Sequence, residues 1–336
     1  MLETPPAPSS LAVAAAAPAP DTSLELDLTE RPWNPTQLPR PAFLLNFPFS
    51  FSTDVANNAW MLELDPADRE PDHKRAMSQF CDLYSYLAAG AVVYLMPTPR
   101  HCGLQDLVYT ANLGIVPDHL GTRDTVVLSN FTSEPRLGET AVGARFFEEM
   151  GYRVVLPATR FEGEADLKHL HDDVYAGGHG LRSQRETYDW MERTFDMKVV
   201  RLELTDPYLY HLDCTVFPLT RETTLVCTEM YGEDELAALE GETEIVDVSV
   251  DDCYQGICNS VRLANVILNA SNLHDLKRGT DEYTLEVHKN HRLEEIAVQH
   301  AFEVTYFNLS EYMKSGALLS CMVMHLNRHS YGFRLL

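Results

Sequence analysis

Residues 161–167 read FEGEADL, three acids within five residues and a glycine among them. Phe161 and Leu167 bracket the acids, and the apolar run VVLP at 154–157 lies just upstream. The pattern predicts a buried strand that ends in a cluster of carboxylates. A buried carboxylate is costly unless a cation or several donors meet it. The stretch therefore asks for a positive partner.

Outward from it, apolar runs of strand length recur: AFLLNF (42–47), AVVYLMP (91–97), DTVVLSNF (124–131), RVVLPA (153–158), KVVRLEL (198–204), TTLVCTEM (223–230) and EIVDVSV (244–250). Segments with helical spacing lie between them. Over 72–89, Met77, Phe80, Leu83, Tyr84 and Leu87 fall on one face, and 140–152 and 182–195 behave alike. The order strand, polar loop, helix, strand predicts an α/β protein. Neither a GxGxxG nor a Walker sequence is present, so a nucleotide-binding fold has no local support. Strand-like runs lead repeatedly into polar clusters, at LQDLVYTAN (104–112), VVLSNFTSEPR (126–136), FEGEADL, LYHLDCTVF (209–217) and QGICNSVRL (255–263). Five such points suggest similar units that converge their strand ends on one centre.

The 336 residues suffice for one large or two ordinary domains with a sizeable core. A formal net charge of −24 repels nucleic acid and anionic membrane and suits a cationic small molecule. Neither nucleic acid nor membrane is expected as a partner. Seven scattered cysteines form no dense framework, which predicts reduced thiols and a cytoplasmic setting. Cys253 and Cys258 lack a second pair or flanking histidines at zinc spacing, so no metal is expected. No apolar run approaches the length of a membrane span. Residues 1–40 are rich in Pro, Ala and Ser, without a basic segment before the alanines. They predict a disordered or extended tail rather than a signal peptide, leaving 41–336 as a single domain.

Two further stretches carry candidate chemistry. In YLYHLDCTVFPL (208–219), His211 and Asp213 share a face if the run is a strand, and Cys214 points the other way. A lone histidine in an apolar run is ordinarily a hydrogen-bonded core residue; the same-face acid favours a base. In YMKSGALLSCMVMHL (312–326), the small residues Ser315, Gly316 and Ala317 lead to Cys321 at the start of a strand-like run. A buried structural thiol is the plain alternative. A nucleophile needs a depressed pKa or an adjacent base.

Taken in order, Phe161-Glu162-Gly163 with Asp166, His211-Leu212-Asp213, and Lys314-Ser315-Gly316 ending in Cys321 resemble the guanidine-modifying superfamily. Its members include arginine deiminase, arginine dihydrolase, dimethylarginine dimethylaminohydrolase and the arginine amidinotransferases. Asn57-Asn58-Ala59-Trp60-Met61 resembles the family's Asn-Pro-Trp-Met, with alanine in place of proline. LQDLVYTAN resembles its aspartate-to-asparagine motif, and GGHGLRSQRE, with Arg182, its glycine-rich arginine segment. The resemblance spans roughly residues 42–330. The approach to the cysteine, SGALLSC, is poorer in glycine than is usual there, and NFPFSFST replaces the usual Cys-Pro-Pro type opening.

The resemblance implies a five-bladed α/β propeller, with strand-helix units around a pseudo-fivefold axis. It implies that the positive partner is a substrate guanidinium, a planar cation whose donors suit a fork of carboxylates. Cys321 would attack the guanidinium carbon, and His211 would serve as general acid and then base, oriented by Glu162. Asp106 and Asp166 would grip guanidinium nitrogens, with Asp213 in support. Asn58 and Asn112 would hold polar groups of the substrate. Arg136 and Arg182 would bind a substrate carboxylate, against the alternative of an ordinary salt bridge to a nearby glutamate; Glu164 receives no role. No metal or organic cofactor is required. Water would resolve the covalent adduct to a ureido product, the first reading. An amine acceptor would make the protein an amidinotransferase, the alternative. A guanidino-binding protein without catalysis is disfavoured, because nucleophile, base and acid all occur in order.

Overall fold

The structure, a computed structural model, describes residues 34–332. Three of the apolar runs become the middle strands of small sheets: β1 (Ala42–Asn46), β4 (Thr125–Leu128) and β10 (Thr223–Val226). Two more middle strands, β7 (Val174–His179) and β13 (Val266–Ala270), arise from runs too broken by Gly, His or Asn to stand out. Four other runs become outer strands, β2 (Val92–Met96), β5 (Arg153–Val155), β8 (Lys198–Glu203) and β11 (Glu244–Asp247), joined by β14 (Glu303–Phe307). The inner strands are short: β3 (Gly114–Ile115), β6 (Leu167–His171), β9 (Val216–Pro218), β12 (Val261–Leu263) and β15 (Met324–His325).

The five sheets repeat one plan, β15-β1-β2, β3-β4-β5, β6-β7-β8, β9-β10-β11 and β12-β13-β14. In each, the inner strand is antiparallel to the middle one and the outer strand parallel to it. A parallel pair needs a long crossover. Helices at His73–Gly90, Glu139–Glu149, Arg185–Phe195, Glu233–Glu240 and Asp281–Gln299 supply it, one per sheet. The result is the expected five-bladed α/β propeller.

The middle strands bury both faces, which is why their sequences run apolar without alternation. In β1, Phe43 and Leu45 enter one core while Ala42 and Leu44 enter the next. In β4, Val127 faces one neighbouring blade, and Val126 and Leu128 face the other. Five apolar clusters thus sit between successive blades. Outer strand β5, at Arg153–Val155, is half exposed and is not the buried strand expected before FEGEADL. The acids instead precede inner strand β6.

The first blade joins the two ends of the described chain. β15 pairs with β1, and the Asn327 side chain donates to the carbonyls of Arg40 and Leu38 while accepting from Ala42 N–H. Residues 1–33 of the expected tail lie outside the described residues. The rest does not fit a tail. Asn34 caps a 3-10 turn at Pro35–Gln37, and the buried Thr36 hydroxyl meets Tyr152 OH at 2.6 Å. Among the described residues, no helix is long and apolar enough to cross a membrane.

Glu164, given no role from sequence, ties the third blade to the closing strand. Its Oε2 accepts from the His325 backbone N–H and Nδ1, both at 3.0 Å, and its Oε1 accepts from Arg328 at 2.5 Å. Burial would raise this carboxyl, but Arg328 and then His325 outweigh it and bring it down to about 2. A depressed carboxyl stabilises the fold above its unfolded value and loses that contribution as pH falls through the folded one. Glu164→Gln should therefore cost about 3 kcal/mol near neutral pH, the scale of a broken buried ion pair. It should also flatten the loss of stability between pH 4.5 and about 2. Denaturant melts of both proteins across that range check this.

Candidate active site

Four of the inner strands are entered through a 3-10 turn: Thr110–Leu113 before β3, Gly163–Ala165 before β6, Leu212–Cys214 before β9 and Ser320–Met322 before β15. Before β12 the chain tightens at 256–260 through bonds from Asn259 N to Gly256 O and from Ser260 N to Cys258 O. These five turns bring together Asn112, Glu162, Asp213, Asn259 and Cys321. Four of the five polar clusters read from sequence are among them. VVLSNFTSEPR is not, since it follows a middle strand; the fifth turn is the cysteine segment itself.

Gly163 shows why that turn needs glycine: its φ is +66°, and a Cβ there would stand 2.5 Å from Ala111 O on the neighbouring turn. Wedged in this way, Glu162 is fully buried, and its Oε2 lies 2.7 Å from His211 Nε2. Thr132 Oγ1 donates to Oε1 at 2.7 Å, and Arg182 Nη1 approaches the same oxygen at 3.6 Å. Burial would raise the Glu162 carboxyl; the His211 hydrogen bond and charge, with both Arg182 and Arg136, hold it well below the usual range. His211 therefore donates through Nε2, which leaves Nδ1 for other work. Asn112 Nδ2 stands at 3.5 Å from both ring nitrogens.

His211 caps the 3-10 turn in place of continuing a strand, so the expected strand alternation fails. Cys214 does not point away: its Sγ is 3.7 Å from Asp213 Oδ1, and Cys321 Sγ is 3.7 Å from Asp213 Oδ2. Ser320 Oγ donates to that Oδ2 at 2.6 Å. Asn259 holds the cysteine turn, accepting from Ser320 N at 2.8 Å and reaching Cys321 Sγ at 3.6 Å. Burial pushes the Cys321 thiol up to about 12, and the Asp213 carboxylate adds to the rise. Without a bound cation the thiol is neutral at physiological pH.

The two carboxylates expected as the principal grips separate in role. Asp106 lines the cavity at Cys321; its Oδ2 accepts from Asn57 at 2.7 Å and Gln105 at 3.3 Å. Among the described residues no donor meets its Oδ1. Burial raises its carboxyl, against the pull of Arg136. Asp166 lies behind the site. Its oxygens are taken by Ser183 Oγ at 2.6 Å and Leu212 N at 3.2 Å, so it fastens the His211 turn and lines no cavity at Cys321. Asp213, expected in support, is the carboxylate beside the thiol. Among the described residues its Oδ1 meets only the thiol of Cys214.

Asn58 caps the helix Ala59–Glu63 through Met61 N and donates to Ser315 O at 2.8 Å. Gly316, at φ +74°, lets that carbonyl segment pass: a Cβ would lie 2.8 Å from Asn58 Oδ1. Arg136 is buried in a two-nitrogen bridge to Glu139, at 3.0 and 2.8 Å, over the Phe131 ring. Its Nη1 has no acceptor among the described residues. Arg182 is freer, donating to Asn57 O at 2.8 Å and lying over the Tyr210 ring at 4.8 Å. Sequence reading missed Ser183, Thr132 and Ser320, small hydroxyls whose value lies only in what they touch.

Two cavities meet at Tyr210, His211, Ala317 and Cys321. One, about 20 Å³, is lined by Asn57, Asn58, Asp106, Asn112, Arg136 and Arg182. The other, about 100 Å³, is walled by aromatic and apolar side chains. A larger cavity of about 740 Å³, with Asp118, His169, Arg221 and Arg328, contains none of these site residues. Among the described residues, no group of three or more His, Cys, Asp or Glu is arranged to hold a metal ion.

Residues 46–328 match the family described as N,N dimethylarginine dimethylhydrolase, eukaryotic. The chain belongs to that family. It is 27% identical over 85% of its length to the bifunctional arginine dihydrolase/ornithine cyclodeaminase AgrE of Nostoc sp., and 27% over 83% to ArgZ of Synechocystis sp.. It spans only 38% and 37% of the length of those two proteins. The dimethylarginine dimethylaminohydrolase of Mycobacterium tuberculosis is 30% identical over 59% of this chain and 63% of its own. Among solved structures, the N-terminal domain of cyanobacterial ArgZ superposes with a TM-score of 0.73 at 25% identity, covering 85% of this chain and 98% of that one. A dimethylarginine dimethylaminohydrolase, at 16% identity and TM-score 0.64 over 85% of this chain and 99% of that one, shares the fold.

The Cys321–Asp213 contact is directly testable. Asp213→Asn removes the adjacent negative charge, so the Cys321 thiol should ionise more readily. Alkylation of Cys321 by iodoacetamide at pH 8, followed by peptide mass spectrometry, should become several-fold faster. A slower reaction would contradict the assignment.

Proposed function

We propose that this chain hydrolyses the guanidino group of arginine or a close derivative through a covalent adduct on Cys321. The observation that carries the reading is the convergence of a buried thiol, a histidine fixed by a buried glutamate, and carboxylate oxygens of Asp106 and Asp213 without strong donors. A guanidinium supplies the missing donors for both oxygens in one plane. Its charge, brought beside Cys321, opposes the Asp213 effect and favours the thiolate. Cys321 gives its proton to His211 as the thiolate forms and attacks the guanidinium carbon; the tetrahedral adduct then breaks one C–N bond, and His211 passes that proton to the departing amine. Water enters, His211 takes its proton, and the second tetrahedral adduct collapses to a ureido product and free thiol. Asp166, Ser183 and Thr132 act indirectly, by fixing His211 and Glu162.

Two observations on ArgZ support this reading. Its N-terminal domain, an arginine dihydrolase, was captured with substrate as a cysteine variant, and with a covalent reaction intermediate as an asparagine variant. Arg182, less committed than Arg136, is the better placed to meet a substrate carboxylate. Asn58 and Asn112 line the same cavity. Nothing in the site favours an amine acceptor over water, so amidino transfer remains the alternative that the assay must read.

The test is product analysis with arginine, with and without glycine, beside Cys321→Ala. Citrulline, or ornithine with ammonia, should form without glycine, and Cys321→Ala should lose at least about 1,000-fold in rate. Ornithine and a new guanidine formed only with glycine would move the protein to the transferases. Undiminished activity in the alanine variant would overturn the covalent route.

A further inference from the structure

Behind the Cys321 turn lies a fourth cavity, on the axis that the blades surround. It is about 20 Å³ and is walled by residues of four inner strands, β6, β9, β12 and β15. Resting on the hydrolase reading for its part in turnover, we propose that Lys168, which lines this axial cavity, is a positioning residue for the Cys321 thiolate. Its ammonium offsets the Asp213 carboxylate from behind the nucleophile.

The cavity takes residues from both ends of the inner strands. Glu164 and Ser320 stand at one end, on the 3-10 turns that enter β6 and β15. Arg328 and Tyr331, beyond β15, stand at the other and also line the cavity of about 740 Å³. Ser320 is the residue before Cys321. Its hydroxyl donates to Asp213 Oδ2 at 2.6 Å, and Cys321 Sγ faces the same oxygen at 3.7 Å. Asp213 and Cys321 line the aromatic cavity, while Ser320 lines the axial one. One turn therefore separates the thiol from the axis.

The charged side chains of the axial cavity are Glu164, Arg328 and Lys168. Both oxygens of Glu164 are engaged, one by His325 and the other by Arg328, so Glu164 and Arg328 neutralise each other. Burial drives the His325 imidazole down, and burial with Arg328 drives His169 down to about 3, so both are neutral near pH 7. Burial pushes the Tyr331 hydroxyl up, and it too adds no charge. Lys168 is half-buried, and among the described residues no acceptor meets its Nζ. The axis thus carries one unmatched positive charge, in a chain of net charge −24.

Holding a cation inside a protein without a carboxylate is costly. The buried thiol gives it a use. Burial first and Asp213 next push Cys321 up, and Lys168 pulls it down. A charge is screened less inside a protein than in water, so an ammonium in the next cavity acts on the sulfur. The substrate cation helps the thiolate only while it is bound. When the second tetrahedral adduct collapses, the sulfur leaves with the electron pair of the S–C bond, beside Asp213 and a neutral ureido product. Lys168 is the positive charge that stays until His211 returns the proton.

The experiment follows alkylation of Cys321 by iodoacetamide, a neutral reagent, at pH 8 without substrate. It compares wild type with Lys168→Arg, Lys168→Met and Lys168→Glu. Rates should follow charge, with Lys168→Arg within about twofold of wild type, Lys168→Met at least about threefold slower and Lys168→Glu slower still. Alkylation of the buried Cys227 and Cys258 reports unfolding and should stay slow in all four proteins. Equal rates for wild type and Lys168→Met would overturn the proposal. So would Lys168→Arg as slow as Lys168→Met, which would assign the side chain to packing. Arginine turnover should fall in the same order, through kcat and not KM; turnover unchanged in Lys168→Glu would overturn the part in catalysis. Charge-ordered alkylation in a protein that turns over no guanidine would sink the hydrolase reading and leave the support of the thiolate standing.

Discussion

Carboxylates taken out of water must be met, and how each is met organises this molecule. Glu164 is met by His325 and Arg328, Asp166 by Ser183 and the Leu212 amide, and Glu162 by His211, Thr132 and Arg182. Those three are discharged by the protein itself. Among the described residues Asp106 is met on one oxygen only, and the second oxygen of Asp213 meets only the weak thiol donor of Cys214. In the proposed function this difference divides acids that hold the fold from acids left for a ligand, and a planar cation with several N–H groups would answer the remainder.

The propeller is what makes that division workable. Every blade enters its inner strand through a tight turn, so five turns distant in sequence are delivered to one place. Thiol, base and carboxylates consequently come from different blades, and their spacing depends on ring closure. Closure rests on a short antiparallel pair, β15 on β1, reinforced by Asn327 and by the Glu164 bridge. Glu162 and Glu164 lie two residues apart on one wedged turn. One fixes His211, and the other fixes the strand that follows Cys321. The candidate site and the closure of the ring thus share a support.

Much of this was legible in sequence. Uninterrupted apolar runs revealed β1, β4 and β10, because a strand buried on both faces leaves no polar alternation to hide it. The motifs read for Cys321, His211, Glu162 and Asp213 are brought to one place by the fold, as His211 meets Glu162 and Cys321 meets Asp213. What failed has a physical reason in each case. VVLP was read as a buried strand, yet Val154 and Val155 end a half-exposed outer strand and Leu156, just beyond it, is exposed. His211 and Asp213 were read as same-face strand residues, yet a 3-10 turn carries them and swings Cys214 to the same carboxylate. Asp166 and Asp213 are both fully buried acids near apolar runs, and only their surroundings tell them apart: Ser183 and the Leu212 amide for one, Ser320 and two thiols for the other. No local pattern marks those serines. Residues 34–40 read as part of a tail because they carry few large apolar groups, but hydrogen bonds from Thr36 to Tyr152 and from Asn327 to the Leu38 and Arg40 carbonyls anchor them.

The proposed route requires Cys321 to form a covalent bond to the guanidinium carbon in a site that neutralises that cation. The most direct measurement is acid quenching of the protein during turnover of arginine, followed by peptide mass spectrometry of all seven cysteines. An arginine-derived adduct is expected on the Cys321 peptide alone, appearing with substrate and decaying as product forms. Steady turnover with Cys321 unmodified, or an adduct on Cys214 in its place, would contradict it.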